Sequence, residues 1–226
     1  MTKIIASHKN RFIYVALAKT ASSSLKLDLA KNLGIHQGQV HLHEIPFEGI
    51  DRKFFNPAYQ SYFKFTIVRN PWDRILSCYL NKIKMDKNFN NVFFRNGIPM
   101  TFERFGVFYA GMSFEQFVDE ISDIPDEIAD SHFRSQAFCV LDQSDNLLVD
   151  FVGRFENLKS DVERIYSVLN FDCSELPHLN PSPERSHYSR YYTAKTMKQV
   201  YERYRRDVEV FGYRFDSIHD LSESTL

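Results

Sequence analysis

The chain has 226 residues, with 28 basic and 29 acidic side chains and a formal net charge of −1. That length suits one compact domain over the whole chain, with a core large enough to need no disulfide or metal support. The charge balance argues against a general nucleic-acid binder, and 43% hydrophobic residues argue against a disordered chain. Aromatic residues are abundant at 15%, enough to build a core and also to line a pocket. Cys78, Cys139 and Cys173 are widely spaced and odd in number. They form neither a zinc pattern nor a disulfide framework, and read as reduced thiols of a cytosolic protein. The N-terminal apolar run has the length of a strand, not of a membrane span, and no secretory cleavage pattern follows it. The expectation is a cytoplasmic protein without stable membrane insertion.

Phe12 to Leu17 (FIYVAL) reads as a buried strand. The small, polar segment AKTASSS follows. Leu25, Leu29 and Leu33 then recur at four-residue spacing before Gly34, the pattern of an amphipathic helix with a glycine stop. Phe63 to Val68 (FKFTIV) predicts a second strand, followed by Arg69. Asn70 suits the N-cap of a second helix, Pro71 its first position, and Asp73 its first turn. Residues 86–112, rich in aromatics and containing two glycines, read as an insertion or lid. Leu147 to Phe155 predicts a third strand, and Leu158, Val162, Ile165 and Leu169 a third helix. Residues 176–190 read as a polar, proline-containing loop. Met197, Tyr201, Tyr204, Val208 and Phe211 mark one long terminal helix ending at Gly212. Strands alternating with helices predict an α/β fold with a central, mostly parallel sheet flanked by helices.

The first loop, Ala18-Lys19-Thr20-Ala21-Ser22-Ser23-Ser24, joins a strand to a helix. Helix starts offer unpaired N–H groups and a positive dipole end, and Lys19 adds a full charge, so an anion fits there. Redundant capping serines explain the same residues. The glycines of a Walker A motif are absent. Arg69 leaves the carboxyl end of a strand, where open α/β sheets place ligands. Its guanidinium suits a phosphate or, equally, an acidic neighbour at the helix start.

Taken together, AKTASSSL and FKFTIVRNPWDRILSCYL resemble the two nucleotide elements of the sulfotransferases that use 3′-phosphoadenosine 5′-phosphosulfate (PAPS). The first is similar to the family's 5′-phosphosulfate loop. The second is similar to its 3′-phosphate element, including the step from Arg69 to Ser77. DFVGRFENLKSDVERIYSVLN, SHFRSQAFCV, LPHLNPSPERSHYSRYY and the closing VFGYRF resemble the carbohydrate branch, so the likeness runs from about residue 11 to 215. Ala18 stands where proline is usual, and Ala21 and Ser22 replace a glycine pair, which implies a stiffer loop.

The resemblance implies a P-loop-like PAPS sulfotransferase fold, with PAPS as donor, PAP as product and no metal. Lys19 would contact the 5′-phosphate and bridging oxygen. Thr20, Ala21, Ser22, Ser23 and Ser24 would line the 5′ end. Arg69 and Ser77 would hold the 3′-phosphate, and Arg185 and Tyr188 would belong to a segment closing over the nucleotide. Core packing accounts better for Trp72 than adenine stacking. The acceptor would be a carbohydrate or glycoconjugate hydroxyl, and nucleic acid is not expected as a partner.

An attacking hydroxyl must lose its proton, a task that suits histidine. In VHLHE an extended backbone points His41 and His43 to one face. The resemblance implies a base histidine after the first helix and before the arginine strand, and within it His43 is favoured over His41 and Glu44; a third ligand for a metal cannot be placed. His132 and Arg134 in DSHFRSQ either contact a sugar carboxylate or sulfate, or belong to a capped, solvated helix. Arg203, Arg205 and Arg206 read as a solvated helix face. Two other functions fit less of the chain. A kinase-like phosphotransferase needs a Walker A loop and an acidic magnesium ligand. A non-catalytic nucleotide- or glycan-binding module would keep the pocket and lose the base, and the presence of His41, His43 and Lys19 argues against it.

Overall fold

The structure is a computed structural model and describes residues 3–35, 45–50, 57–84, 93–172 and 186–216. His41, His43, Glu44, Cys173 and Arg185 lie outside the described residues. In chain order the elements are β1 (Lys3–Ser7), β2 (Phe12–Ala16), α1 (Ser22–Asn32), β3 (Glu48–Gly49), β4 (Phe63–Val68) and α2 (Pro71–Lys82). Then come β5 (Phe94–Arg95), β6 (Ile98–Pro99), α3 (Met100–Glu103), α4 (Phe114–Ser122), α5 (Ala137–Val140) and β7 (Phe151–Arg154). The last are α6 (Leu158–Leu169), α7 (Ala194–Arg203) and α8 (Arg205–Phe211). The chain divides into two compact units, Met1–Arg69 with Phe138–Pro181, and Asn70–Ala137 with Ser182–Leu226.

The first unit holds the sheet, in the order β3-β1-β2-β4-β7. The expected α/β class with a helix-flanked sheet holds, and its parallel strands, β2, β4 and β7, run from the middle of the sheet to one end. β2 pairs parallel with β4, and β4 with β7, so Tyr14 lies beside Phe65 and Phe65 beside Phe151. Buried parallel strands must be apolar on both faces, and all five residues of β2 are buried. The period-two face of Phe12, Tyr14, Phe65 and Ile67 packs with Leu25 and Leu29 of α1 and with Val162, Ile165 and Tyr166 of α6. Burying each large side chain of this kind stabilises the fold by about 1.5–3 kcal/mol. Inside that core the Tyr166 hydroxyl donates to the Asp28 carboxylate at 2.5 Å, tying α6 to α1.

Two features of the sheet differ from the sequence reading. β1 is a separate strand, antiparallel to β2 with Ile5 opposite Tyr14. β7 is shorter than expected and begins at Phe151, while Leu147 forms a single bridge to Leu141. Gly153 explains why β7 can lie close to its neighbours. A Cβ there would meet Ile67 Cδ1 at 2.5 Å and Asp161 Cβ at 3.2 Å. The next amide, of Arg154, donates to Asp161 Oδ2 at 2.7 Å and fixes the strand against α6.

The second unit is a helical core around Ile75 and Tyr79 of α2, Phe117 of α4, Phe102, Phe108, Phe133, Val200 and Tyr204. α2 starts as predicted: Asn70 Oδ1 accepts from the Trp72 amide at 3.1 Å, with Pro71 in the first turn. Trp72 is a core residue whose Nε1 donates to the Met197 carbonyl. The described part of the expected lid is not loose. From residue 93 on it forms the β5–β6 hairpin and α3, and Ile98, Phe102, Phe108 and Met112 enter the core. Phe102 and Phe108 are packing residues, whereas Phe93 and Tyr109 are exposed, a difference that local composition alone does not reveal.

The expected long terminal helix is two helices, α7 and α8, broken at Tyr204 (φ −115°, ψ 24°). The break serves two buried polar contacts. The Tyr204 hydroxyl donates to the Phe133 carbonyl at 2.5 Å. Asp207, fully buried, accepts from Ser135 Oγ, the Gln136 and Ala137 amides and Gln136 Nε2 at 2.6–3.2 Å. Arg203 is not part of a solvated face. It donates to the carbonyls of Ile121 and Ile124 and pairs with Asp126 at 2.7 Å. Arg205 and Arg206 are exposed, as read, and Arg205 pairs with Glu202.

Candidate functional site

The turn from β2 into α1 departs twice from ordinary backbone. Lys19 (φ 69°) and Ala21 (φ 59°) both occupy the left-handed region without being glycine, at a cost of about 1–2 kcal/mol each. Thr20 between them is buried, and its hydroxyl donates to the Leu17 carbonyl at 3.0 Å. That hydroxyl therefore braces the turn from inside. Ala21 stands at the N-cap and has no side-chain oxygen, so no side-chain cap closes α1. The first helical bond runs from the Leu25 amide to the Ala21 carbonyl at 3.1 Å. The amides of Ser22, Ser23 and Ser24 head the helix, where the dipole is positive. Ser22 and Ser23 are half-buried, and Ser24 is buried. Lys19 is half-buried at the same turn.

Arg69 directly follows β4 and is only 5% exposed. Its Nη1 donates to the Lys19 carbonyl at 3.0 Å. Its guanidinium carbon lies 3.9 Å from the centroid of the Phe155 ring, within cation–π range. Phe155 directly follows β7. The carboxyl ends of three adjacent parallel strands thus deliver the Lys19 turn, Arg69 and Phe155 to one place. In open α/β sheets that end of the strands is where ligands bind. The arrangement offers a cationic cradle: a lysine, a buried guanidinium and a helix start. It suits an anion with more than one charged group. Lys19 and Arg69, expected from sequence to act on one ligand, are therefore joined by a hydrogen bond. The sequence reading takes Phe155 as the last residue of the third strand and gives it no part in the site, whereas β7 ends at Arg154.

The remaining candidates belong to the second unit. Ser77 lies on α2 and is 7% exposed. Tyr188 begins a 3₁₀ turn, Tyr188–Tyr191, and is buried. Its hydroxyl accepts from the Asp216 amide at 2.7 Å and from Asn70 Nδ2 at 3.3 Å. Burial, reinforced by the Asp216 charge, pushes its phenol well above the usual tyrosine range. His132 is half-buried, with Nδ1 2.6 Å from Asp130 Oδ1. Burial alone would raise the Asp130 carboxyl, but the hydrogen bonds and charge of His132 outweigh it and hold the group well below the usual carboxylate range. Arg134 is 7% exposed and faces its own segment, donating to the Asp126 carbonyl at 2.8 Å and the Ala129 carbonyl at 2.6 Å. Of the two residues expected on the acceptor side, Arg134 braces main chain and His132 is the more accessible.

Among the described residues no group of three or more histidine, cysteine or acidic side chains is placed to hold a metal ion. Among the same residues no helix is long and apolar enough to cross a membrane.

Comparison with known proteins places the chain in a family. A family model described as "Sulfotransferase family" matches residues 2–214, running through both units. Carbohydrate sulfotransferase 14 of Mus musculus is 24% identical over 95% of this chain and 61% of its own length. The Homo sapiens protein of the same name is also 24% identical, over 95% of this chain and 61% of its own. Carbohydrate sulfotransferase 10 of Xenopus laevis is 22% identical over 95% of this chain and 68% of its own length. The chain therefore spans about three fifths of the length of the first two relatives. No solved structure matches it.

Proposed function

Because the chain belongs to the sulfotransferase family, we propose that it transfers a sulfuryl group from PAPS to a hydroxyl of a carbohydrate or glycoconjugate. The acceptor class is supported by the names of the relatives, carbohydrate sulfotransferases 14 and 10. The donor is supported by one observation above the others: the buried Arg69 guanidinium bonded to the carbonyl of Lys19, beside a helix start that has no side-chain cap. These residues fit a nucleotide with anionic groups at both its 3′ and 5′ ends.

PAPS supplies the sulfuryl group. The acceptor oxygen forms a bond to sulfur as the bond from sulfur to the 5′-phosphate oxygen breaks. Lys19 and the amides heading α1 stabilise the charge left on that phosphate. Arg69 binds the 3′-phosphate, and the same task for Ser77 follows the motif alone. The acceptor's proton passes to a histidine, His43 or His41, on the strength of the resemblance, both lying outside the described residues. Tyr188 and Arg185 are carried over in the same way as nucleotide-closing residues. His132 is the remaining acceptor-side candidate. Positioning and fixed charge supply most of the catalysis, since the chain contributes no covalent step. The test is transfer of radiolabelled sulfate from PAPS to a panel of oligosaccharides. Label appearing on a sugar supports the reading, and no label on any acceptor, with PAPS left intact, rejects it.

A further inference from the structure

The Arg69 guanidinium makes two contacts at once. Nη1 donates to the Lys19 carbonyl at 3.0 Å, and the carbon rests 3.9 Å from the Phe155 ring centroid. A guanidinium is a flat fork whose N–H directions are set by its plane. An aromatic ring facing it fixes that plane through its quadrupole and through simple contact. The carbonyl that Arg69 holds belongs to a residue in the left-handed region, Lys19 at φ 69°. Strained backbone persists only where its surroundings over-determine it. Thr20 braces this turn from inside through Leu17, and Arg69 braces it from the neighbouring strand. Phe155 is half-buried, packs against the core of the same unit, and follows β7 directly.

We propose that Phe155 is a positioning residue for the β2–α1 turn: its ring holds Arg69 in the orientation that keeps the Lys19 carbonyl, and hence the Lys19 side chain and the start of α1, in place. The consequence for donor affinity rests on the function proposed above. The consequence for the turn itself does not. Phe155 lies outside the two loops that resemble the family's nucleotide elements, and its effect is indirect. Removing the ring while keeping apolar volume loosens the turn, and an aromatic replacement keeps it. The effect also requires Arg69, which separates a positioning role from plain core packing.

The experiment compares the wild-type chain with Phe155→Leu, Phe155→Tyr, Arg69→Lys and the Phe155→Leu/Arg69→Lys double variant. Amide hydrogen exchange is followed over residues 17–25, with the α6 amides as an internal reference. PAP affinity is measured by calorimetry. Phe155→Leu is expected to speed exchange over the turn by about fivefold or more relative to α6, and to weaken PAP by about five- to tenfold. Phe155→Tyr should stay within about twofold of wild type. In the Arg69→Lys background the leucine change should add little. Exchange that rises equally in the turn and in α6, or a Phe155→Leu effect that persists undiminished beside Arg69→Lys, overturns the inference. If the wild-type chain takes up no PAP, the donor reading fails, and the exchange comparison still decides the role of Phe155.

Discussion

Arg69 Nη1 donates to the main-chain carbonyl of Lys19 at 3.0 Å, across fifty positions of sequence. The bond unites the ends of two parallel strands, β2 and β4, and orients the turn that carries the lysine. It uses the Lys19 backbone, so the lysine side chain and the arginine can be tested separately.

Lys19→Ala leaves that carbonyl and its bond in place, and alanine bears the same left-handed φ as lysine. Turnover is expected to fall by about 100- to 1000-fold, the usual consequence of removing one group that stabilises developing charge. The melting temperature should move by no more than about 2 °C. Steady-state sulfate transfer together with a thermal melt checks both. Undiminished turnover removes Lys19 from the mechanism.

Ala21 has a φ of 59° and no side-chain hydrogen bond to offer α1. Glycine takes that conformation without the Cβ clash, although it adds freedom to the unfolded chain. Ala21→Gly should stabilise the chain by about 0.5–1 kcal/mol, and Ala21→Val should destabilise it by at least as much. Urea midpoints at constant slope measure this. A destabilised glycine variant would show that the turn is not strained there.

Asp207 is a fully buried carboxylate that gathers four donors from residues 135–137. Asp207→Ala leaves those donors without their acceptor, and a loss of about 3–5 kcal/mol is expected. Asp207→Asn, which retains one oxygen, should lose less. Equilibrium unfolding should rank them wild type, Asn, Ala. Equal stabilities would deny the cluster its role.

The Asp130 carboxyl sits below the usual range because His132 outweighs its burial. Between the folded and unfolded pKa values the unfolded chain binds more protons, so stability rises with pH there. The contribution is fully present above about pH 4, the ordinary aspartate value, and is lost as pH falls below it towards the folded value. Asp130→Asn should cost about 2 kcal/mol at neutral pH, and the gap to wild type should shrink on acidification below pH 4. A gap that stays constant from about pH 6 to 2.5 would contradict the carboxylate's part.

Much of this is legible in the sequence. The spacing of Leu25, Leu29 and Leu33 placed α1, and Asn70 with Pro71 placed the start of α2, because helix periods and caps are local signals. The junction of Lys19 with Arg69 was legible only because two motifs pointed to one ligand. What escaped depends on distant partners. Nothing near Tyr204 in sequence announces that Phe133 will accept its hydroxyl. Arg203 reads as a surface charge and Arg134 as either an acceptor contact or a solvated side chain, yet both hold main-chain carbonyls, and long side chains give no local sign of such use. Residues 86–112 read as an insertion or lid because composition does not say which rings find a core.

The central claim is that Lys19 and Arg69 grip the two anionic ends of one adenosine nucleotide. Calorimetric titration with PAP and with 5′-AMP, which lacks the 3′-phosphate, tests it most directly. PAP should bind at least about tenfold more tightly than 5′-AMP. That difference should disappear in Arg69→Ala, while Lys19→Ala should weaken both nucleotides. Equal affinity for the two nucleotides in the wild-type chain, or no heat of binding with PAP, would contradict the claim.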